Sequence, residues 1–219
     1  VADVAITDGV VTHVGGDDGS VRVDGPARHE VDADGTLVTP GFVDVHTHYD
    51  GQATWDALLS PSCWHGVTTV VMGNCGVGFA PARASERDWL IQLMEGVEDI
   101  PGAALHEGMT WNWESFPEYL DEVERMGRVL DVAALVPHGA LRAYVLGEGR
   151  GNDVATTDEV AIMRDLAREA ILAGAVGIST TRTILHRAKD GELAAGTTAA
   201  AEELIGIGDA LADAGHRVF

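Results

Sequence analysis

The chain has 219 residues, two cysteines and a formal net charge of −21, with 35 acidic residues against 14 basic ones. That balance excludes an extended phosphate-binding face, which needs clustered Lys and Arg, and it disfavours nucleic acid and anionic membranes alike. No apolar run approaches the roughly 18 residues of a membrane span, and "VADVAITDGV" has neither a basic start nor a hydrophobic signal region, so a cytoplasmic protein is expected.

Residues 1–38 contain short β-rich runs, "DVAITDG", "VVTHVGG", "VRVDG" and "GTLVTP", punctuated by Gly and Asp, and predict part of a small β domain. Asp17, Asp18, Asp24, Asp32 and Asp34 fit its turns and solvated faces, because no EF-hand spacing links them. From Pro40 the rhythm becomes strand, loop, helix, and residues 39–219 form a second region. "GFVDVHTH" reads as a strand, "TWDALLSPSCWHG" as a helical piece broken by Pro61, and "VTTVVMGN" as a β-branched strand buried on both faces. "SERDWLIQLMEGV" and "PEYLDEVERMG" predict helices around the irregular "MTWNWESF", with Pro117 tolerated in a first turn. "VLDVAALVPH" predicts a third strand. "TTDEVAIMRDLAREAILAG" predicts a long helix with a Thr156/Glu159 capping box and a stop near Gly174. "AVGIST" is then a fourth strand, "TAAAEELIGIGDALADAG" a helix, and "HRVF" the start of a fifth strand.

Strands alternating with helices imply parallel βαβ units, since parallel neighbours need a long crossover. The fold class is α/β. No G-x-G-x-x-G follows a strand, and polar residues collect at strand C-terminal ends, so a (β/α)8 TIM-type barrel is expected in preference to a doubly wound sheet. About four of its eight units are visible, and both chain ends read as cut.

Residues two apart in a strand face the same side, with Cα atoms about 6.5–7 Å apart. His46 and His48 therefore point together from the end of the first barrel strand, where both rings can reach one metal at about 2.0–2.1 Å. Cys75 ends the next strand between glycines, on the same barrel face, where a nearby cation would deprotonate its thiol. The alternatives are exposed turn histidines and an unliganded thiol. Cys63, beside Trp64, reads as a packing cysteine.

"PGFVDVHTH" resembles the first-strand signature of the amidohydrolase superfamily, and "WHGVTTVVMGNCGVGFAPAR" resembles its N-acyl-D-amino-acid deacylase (D-aminoacylase) branch. "WNWESFPEYL", "PHGALRAYVLG" and "GISTTRTILHR" carry the likeness across nearly the whole chain. The resemblance implies a barrel with a small flanking β-sandwich domain, one or two zinc ions, and hydrolysis of N-acyl-D-amino acids by metal-activated water to a carboxylate and a free D-amino acid. His46 and His48 match the family's first-strand ligands, and Cys75 the cysteine that replaces a carboxylated lysine. Lys189, the only lysine, sits in a loop-like stretch and suits that role poorly. Two further histidines and a general-base aspartate are expected beyond Phe219. Rival readings are another cyclic-amide or amidine hydrolase on this fold, and a non-catalytic barrel used as a scaffold or complex subunit.

Weaker candidates surround this set. His138, closing the third strand, is expected to face the site, as a substrate contact or a supporting group. Arg182 and His186 follow the fourth strand, and one of them suits a substrate carboxylate, Arg by its bidentate fork. Asp44 and Asp50 read as strand-end or supporting groups. Trp111 and Trp113 fit either a lid over an acyl group or packing beneath a loop.

Overall fold

The computed structural model describes residues 3–15, 27–147, 149–215 and 218–219. The chain divides into two compact units, Val1–Pro40 and Gly41–Phe219. In the first, β1 (Val4–Thr7) and β2 (Val10–Val14) pair antiparallel, with Thr7 opposite Val10. The two residues between them, Asp8 and Gly9, both have positive φ (51° and 78°), the conformation that matches a two-residue hairpin loop to the strands' twist. "GTLVTP" is not the strand expected from its composition. The backbone and hydroxyl of Thr36 both bond the Ala33 carbonyl, closing a turn, and Leu37 and Val38 project into solvent with no ladder partner among the described residues. "VRVDG", Asp17, Asp18 and Asp24 lie outside the described residues.

The second unit is an α/β layer arrangement around one curled parallel sheet. Its strands are β3 (Phe42–Asp44), β4 (Val67–Met72), β5 (Asp131–Pro137) and β6 (Gly177–Ser179), paired in that order and all parallel. Each strand lies beside its predecessor, with no reversal of order, which is the arrangement of a barrel segment and not of a doubly wound sheet. Beyond β6, Val218 forms a parallel bridge with Gly177. A Cβ on Gly177 would meet the Val218 carbonyl oxygen at 2.0 Å, so this close pairing requires glycine. His216 and Arg217, earlier in the same run, lie outside the described residues.

Helices pack against this sheet: α1 (Arg87–Glu98), α2 (Gly102–Gly108), α3 (Phe116–Arg125), α4 (His138–Leu146), α5 (Thr157–Ala173) and α6 (Ala201–Asp213). The capping box on α5 forms as its sequence predicts, Thr156 accepting from the Glu159 backbone while the Glu159 side chain accepts in return. Ser115 and Glu118 build a second box on α3. Met163, Ala167, Ala170 and Ile171 give α5 a buried stripe at helical spacing. Leu90, Ile91, Leu93 and Met94 do the same for α1. Helix α4 is a correction. "VLDVAALVPH" was expected to be strand throughout, yet β5 stops at Pro137 and His138 opens a helix without an intervening loop. This helix is buried on nearly every side, so no amphipathic period marks it in sequence.

Candidate metal centre

His46 and His48 lie just past the end of β3, where the chain is still tied to β4. The Thr47 backbone N–H and hydroxyl both donate to the Val71 carbonyl, at 3.0 and 2.8 Å. With Thr47 committed to one face, its two neighbours turn to the other, and their ring centroids stand 5.4 Å apart. Cys75 comes from the turn that ends β4. Gly73, Cys75 and Gly76 all have positive φ (80°, 55° and 70°), which reverses the chain sharply and aims the thiol back toward β3. Alanine could not replace Gly73, since a Cβ there would meet the Leu135 carbonyl oxygen at 2.1 Å.

The turn is held on three sides. The Asn74 amide donates to the carbonyls of Val71 and Thr47, at 2.9 and 3.3 Å, linking the cysteine turn directly to the histidine segment. Ser179, at the end of β6, accepts from the Gly76 N–H at 3.0 Å and donates to the Gly73 carbonyl. The Gly73 N–H points to the carboxylate of buried Asp50. Tyr119, within an aromatic cluster with Trp113 and Phe116, donates to the Asp50 carbonyl at 2.7 Å and supports the histidine segment from behind.

One ligand-type atom each from His46, His48 and Cys75 falls within 4.8 Å of the others. The Cys75 Sγ lies 3.3 Å from His46 Nε2. Both ring nitrogens of His48 are buried without a hydrogen-bond partner, a costly state for a polar ring unless something else occupies it. Burial, then the neighbouring His46 and His186, lowers the His48 pKa to about 4, so at neutral pH the ring is the uncharged form that coordinates metal. Burial, then the charges of Glu98 and Asp50, pushes the Cys75 thiol up to about 11. Burial likewise raises Asp50 to about 8, against the opposing effect of its backbone hydrogen bonds. A site that keeps its thiol and carboxyl protonated on its own is electrostatically set for a cation, which would reverse both preferences. Two imidazoles and a thiol are a donor set that suits zinc.

Thr181 holds His186 through Nδ1 at 3.0 Å, and His186 is close enough to His46 and His48 for their charges to couple. His138 lies elsewhere. It is 1% exposed, with Nδ1 2.9 Å from the Thr180 hydroxyl and Nε2 2.8 Å from Glu203, so both nitrogens are engaged and neither is presented to a ligand. Glu203 also receives Arg142, whose remaining N–H groups bond the carbonyls of Gly151 and Asp153. Arg182 is exposed and donates to the Ala199 carbonyl. Trp113 is buried and donates to the Phe79 carbonyl at 2.7 Å, which makes it core and not lid. Lys189 pairs with Glu95 at 2.8 Å, away from the cluster.

A family model, the amidohydrolase family, matches residues 29–217. The chain belongs to the amidohydrolase family. Its relatives place it in the D-aminoacylase branch. It is 39% identical over 157 residues to a D-aminoacylase of Alcaligenes xylosoxydans xylosoxydans, a match covering 72% of this chain and 30% of that protein. Among solved structures, a D-aminoacylase described as having a binuclear metal centre superposes with a TM-score of 0.74 at 31% identity, covering 98% of this chain and 40% of the other. The N-acyl-D-glutamate deacylase of Bordetella bronchiseptica, complexed with zinc and a phosphonate inhibitor, gives a TM-score of 0.65 at 29% identity, covering 97% and 39%. The chain thus spans 30–40% of the length of these amidohydrolases.

Two groups around the cluster of His46, His48 and Cys75 carry no sequence signal. Ser179 is simply the serine of a short strand, and Glu98 is one of many acids. Glu98 Oε1 nevertheless stands 3.2 Å from His48 Nε2. Burial raises its pKa, an effect partly opposed by His46 and the Cys75 thiol.

Proposed function

We propose that this chain supplies part of the centre of a zinc-dependent amidohydrolase that cleaves the amide of N-acyl-D-amino acids, releasing a carboxylate and a free D-amino acid. The observation that carries this reading is the convergence of His46, His48 and Cys75, with His48 neutral and both its nitrogens unpartnered. In this reading those three side chains hold one or two zinc ions. Bound there, zinc would acidify a water and polarise the acyl carbonyl. The chain's own part is to aim the ligands. Thr47 and Asn74 fix the angle between the histidine segment and the cysteine turn, and Ser179 holds that turn in its left-handed conformation.

Of the expected substrate groups, His186 has the best claim, since its imidazole faces the metal ligands with Nδ1 held by Thr181. His138 is better read as a support for the Thr180 segment, and Arg182 as an exposed residue at the rim of the loop. The reading also takes residues 1–38 as part of a small β-sandwich domain and residues 39–219 as half of a TIM-type barrel, in a cytoplasmic enzyme with a small-molecule substrate. No described helix is long and apolar enough to cross a membrane. The test is release of free amine from a panel of N-acyl-D-amino acids, their L-enantiomers and hydantoins by the complete protein, together with metal analysis. Activity on hydantoins alone, or hydrolysis that persists at full rate in Cys75→Ala, would overturn the assignment.

A further inference from the structure

We propose that His138 is a positioning residue for Cys75, which through its bond to Thr180 fixes the backbone on which the turn carrying the thiol is seated. The inference rests on the metal reading above and adds to it a group that touches neither metal nor substrate.

The cysteine turn is walled in at Gly76, the residue after the ligand. A Cβ on Gly76 would stand 3.1 Å from the Thr180 Cα and 3.2 Å from the Thr181 nitrogen, so the turn lies directly on that backbone. The first turn of α4 is equally close, since a Cβ on Gly139 would meet the Gly76 carbonyl oxygen at 2.6 Å. A productive ligand geometry tolerates displacements of only about 0.5 Å, and a shift of either wall carries Cys75 with it. The α4 wall continues β5 without a break. The Thr180 wall has left the ladder, because β6 ends at Ser179. Its hydroxyl lies 2.9 Å from His138 Nδ1, and that bond ties one wall to the other.

His138 is itself gripped from behind. Four residues apart on α4, His138 and Arg142 share a face, and both bond Glu203 of α6, His138 through Nε2 at 2.8 Å. Burial alone would raise the Glu203 carboxyl, but the bonds from His138 and Arg142 outweigh it and hold it below its ordinary value. Burial, against the pull of Glu203, lowers the His138 pKa, so the imidazole is neutral. An ionised carboxylate only accepts, hence Nε2 carries the ring proton and Nδ1 accepts from the Thr180 hydroxyl. The ring cannot swing away, for a Cβ on Gly196 would meet Nδ1 at 2.6 Å and Cε1 at 2.8 Å. Packing alone would be served by an apolar side chain, whereas this imidazole joins α6 to the Thr180 segment in one fixed sense.

The experiment uses the complete protein, stripped of metal, titrated with zinc, and loaded with cobalt to read the thiolate-to-cobalt absorption band. His138→Asn keeps an oxygen near the Nδ1 position to accept from Thr180 and gives up Glu203; His138→Gln reaches Glu203 and gives up Thr180. Zinc affinity is expected to fall about 10-fold in His138→Gln and in Thr180→Val, the lower end of the loss when a group supporting a ligand is removed, with a shifted cobalt band. His138→Asn should stay close to wild type in both. The double variant His138→Gln/Thr180→Val should bind zinc no worse than either single one, because both remove the same bond. Met163→Ala, which opens a cavity in the buried face of α5, controls for general destabilisation and should leave affinity and band unchanged. Binding in His138→Asn no better than in His138→Gln, independent losses in the double variant, or an equal loss in Met163→Ala would each overturn the His138 proposal alone. Wild type that takes up no metal would overturn the parent reading instead.

Discussion

Cys75 sits in a left-handed conformation that few side chains adopt, with φ at 55°, and holding it there falls to neighbours far away in sequence. Ser179 is the most exacting of these, since one hydroxyl serves both the Gly73 carbonyl and the Gly76 N–H. Ser179→Ala leaves two buried backbone groups without their partner, at about 1–3 kcal/mol, and frees the turn that aims the thiol. Reduced stability in urea unfolding is expected, and with it weaker zinc binding; normal zinc affinity in this variant would show that the turn is held without Ser179. The two histidines and the cysteine were legible because residue type and a spacing of two already specify a shared face. Ser179 and Glu98 were not. Their meaning lies in contacts with residues 103 positions away for Ser179 and 50 for Glu98, and nothing local marks them.

Helices whose two faces differ announce themselves, and α5 is the clearest case, its buried stripe and capping box both readable from residue order. Glu159 closes that box and also receives Arg150, and these hydrogen bonds hold its carboxyl at about 2, below the ordinary value of 4.5. A depressed carboxylate pKa stabilises the fold above about 4.5 and loses that contribution as pH falls toward 2. Glu159→Gln should therefore lower stability at neutral pH and flatten the acid limb of the unfolding profile; an unchanged limb would sink the idea. Helix α4 carries no such signal because it is buried on nearly every side, its arginine included, and follows β5 directly. Arg142 is 0% exposed and is neutralised by Glu203, which is 4% exposed. Glu203→Ala strands that guanidinium in the core, and a loss of about 3–5 kcal/mol is expected in denaturant unfolding. Replacing Arg142 with Met in the same variant should recover part of it, since an apolar side chain of similar length needs no counter-charge.

At the scale of the whole molecule, alternating strand and helix patterns make the parallel order β3-β4-β5-β6 readable in the sequence, because a parallel neighbour requires a helical return. The small N-terminal unit was less legible. The Asp8–Gly9 hairpin has its own turn chemistry, whereas "GTLVTP" has strand composition and no partner among the described residues. The same distinction governs the proposed metal centre, whose three ligands leave the ends of β3 and β4 separately and meet only when those elements are packed. An unfolded chain cannot reproduce that convergence, so zinc should bind the folded state in preference and stabilise it by mass action. At a free zinc concentration 100 times the dissociation constant the gain is about 2.7 kcal/mol. Thermal unfolding of the complete protein should thus move upward with zinc and fall back on chelation. Magnesium should not substitute, because it prefers oxygen donors and an octahedral shell to two imidazoles and a thiolate. Cys75→Ala should abolish most of the zinc-dependent rise while leaving the metal-free transition close to that of wild type, since the lost thiol is only half-buried. Equal unfolding temperatures with and without chelator would mean that the three side chains meet for some reason other than metal.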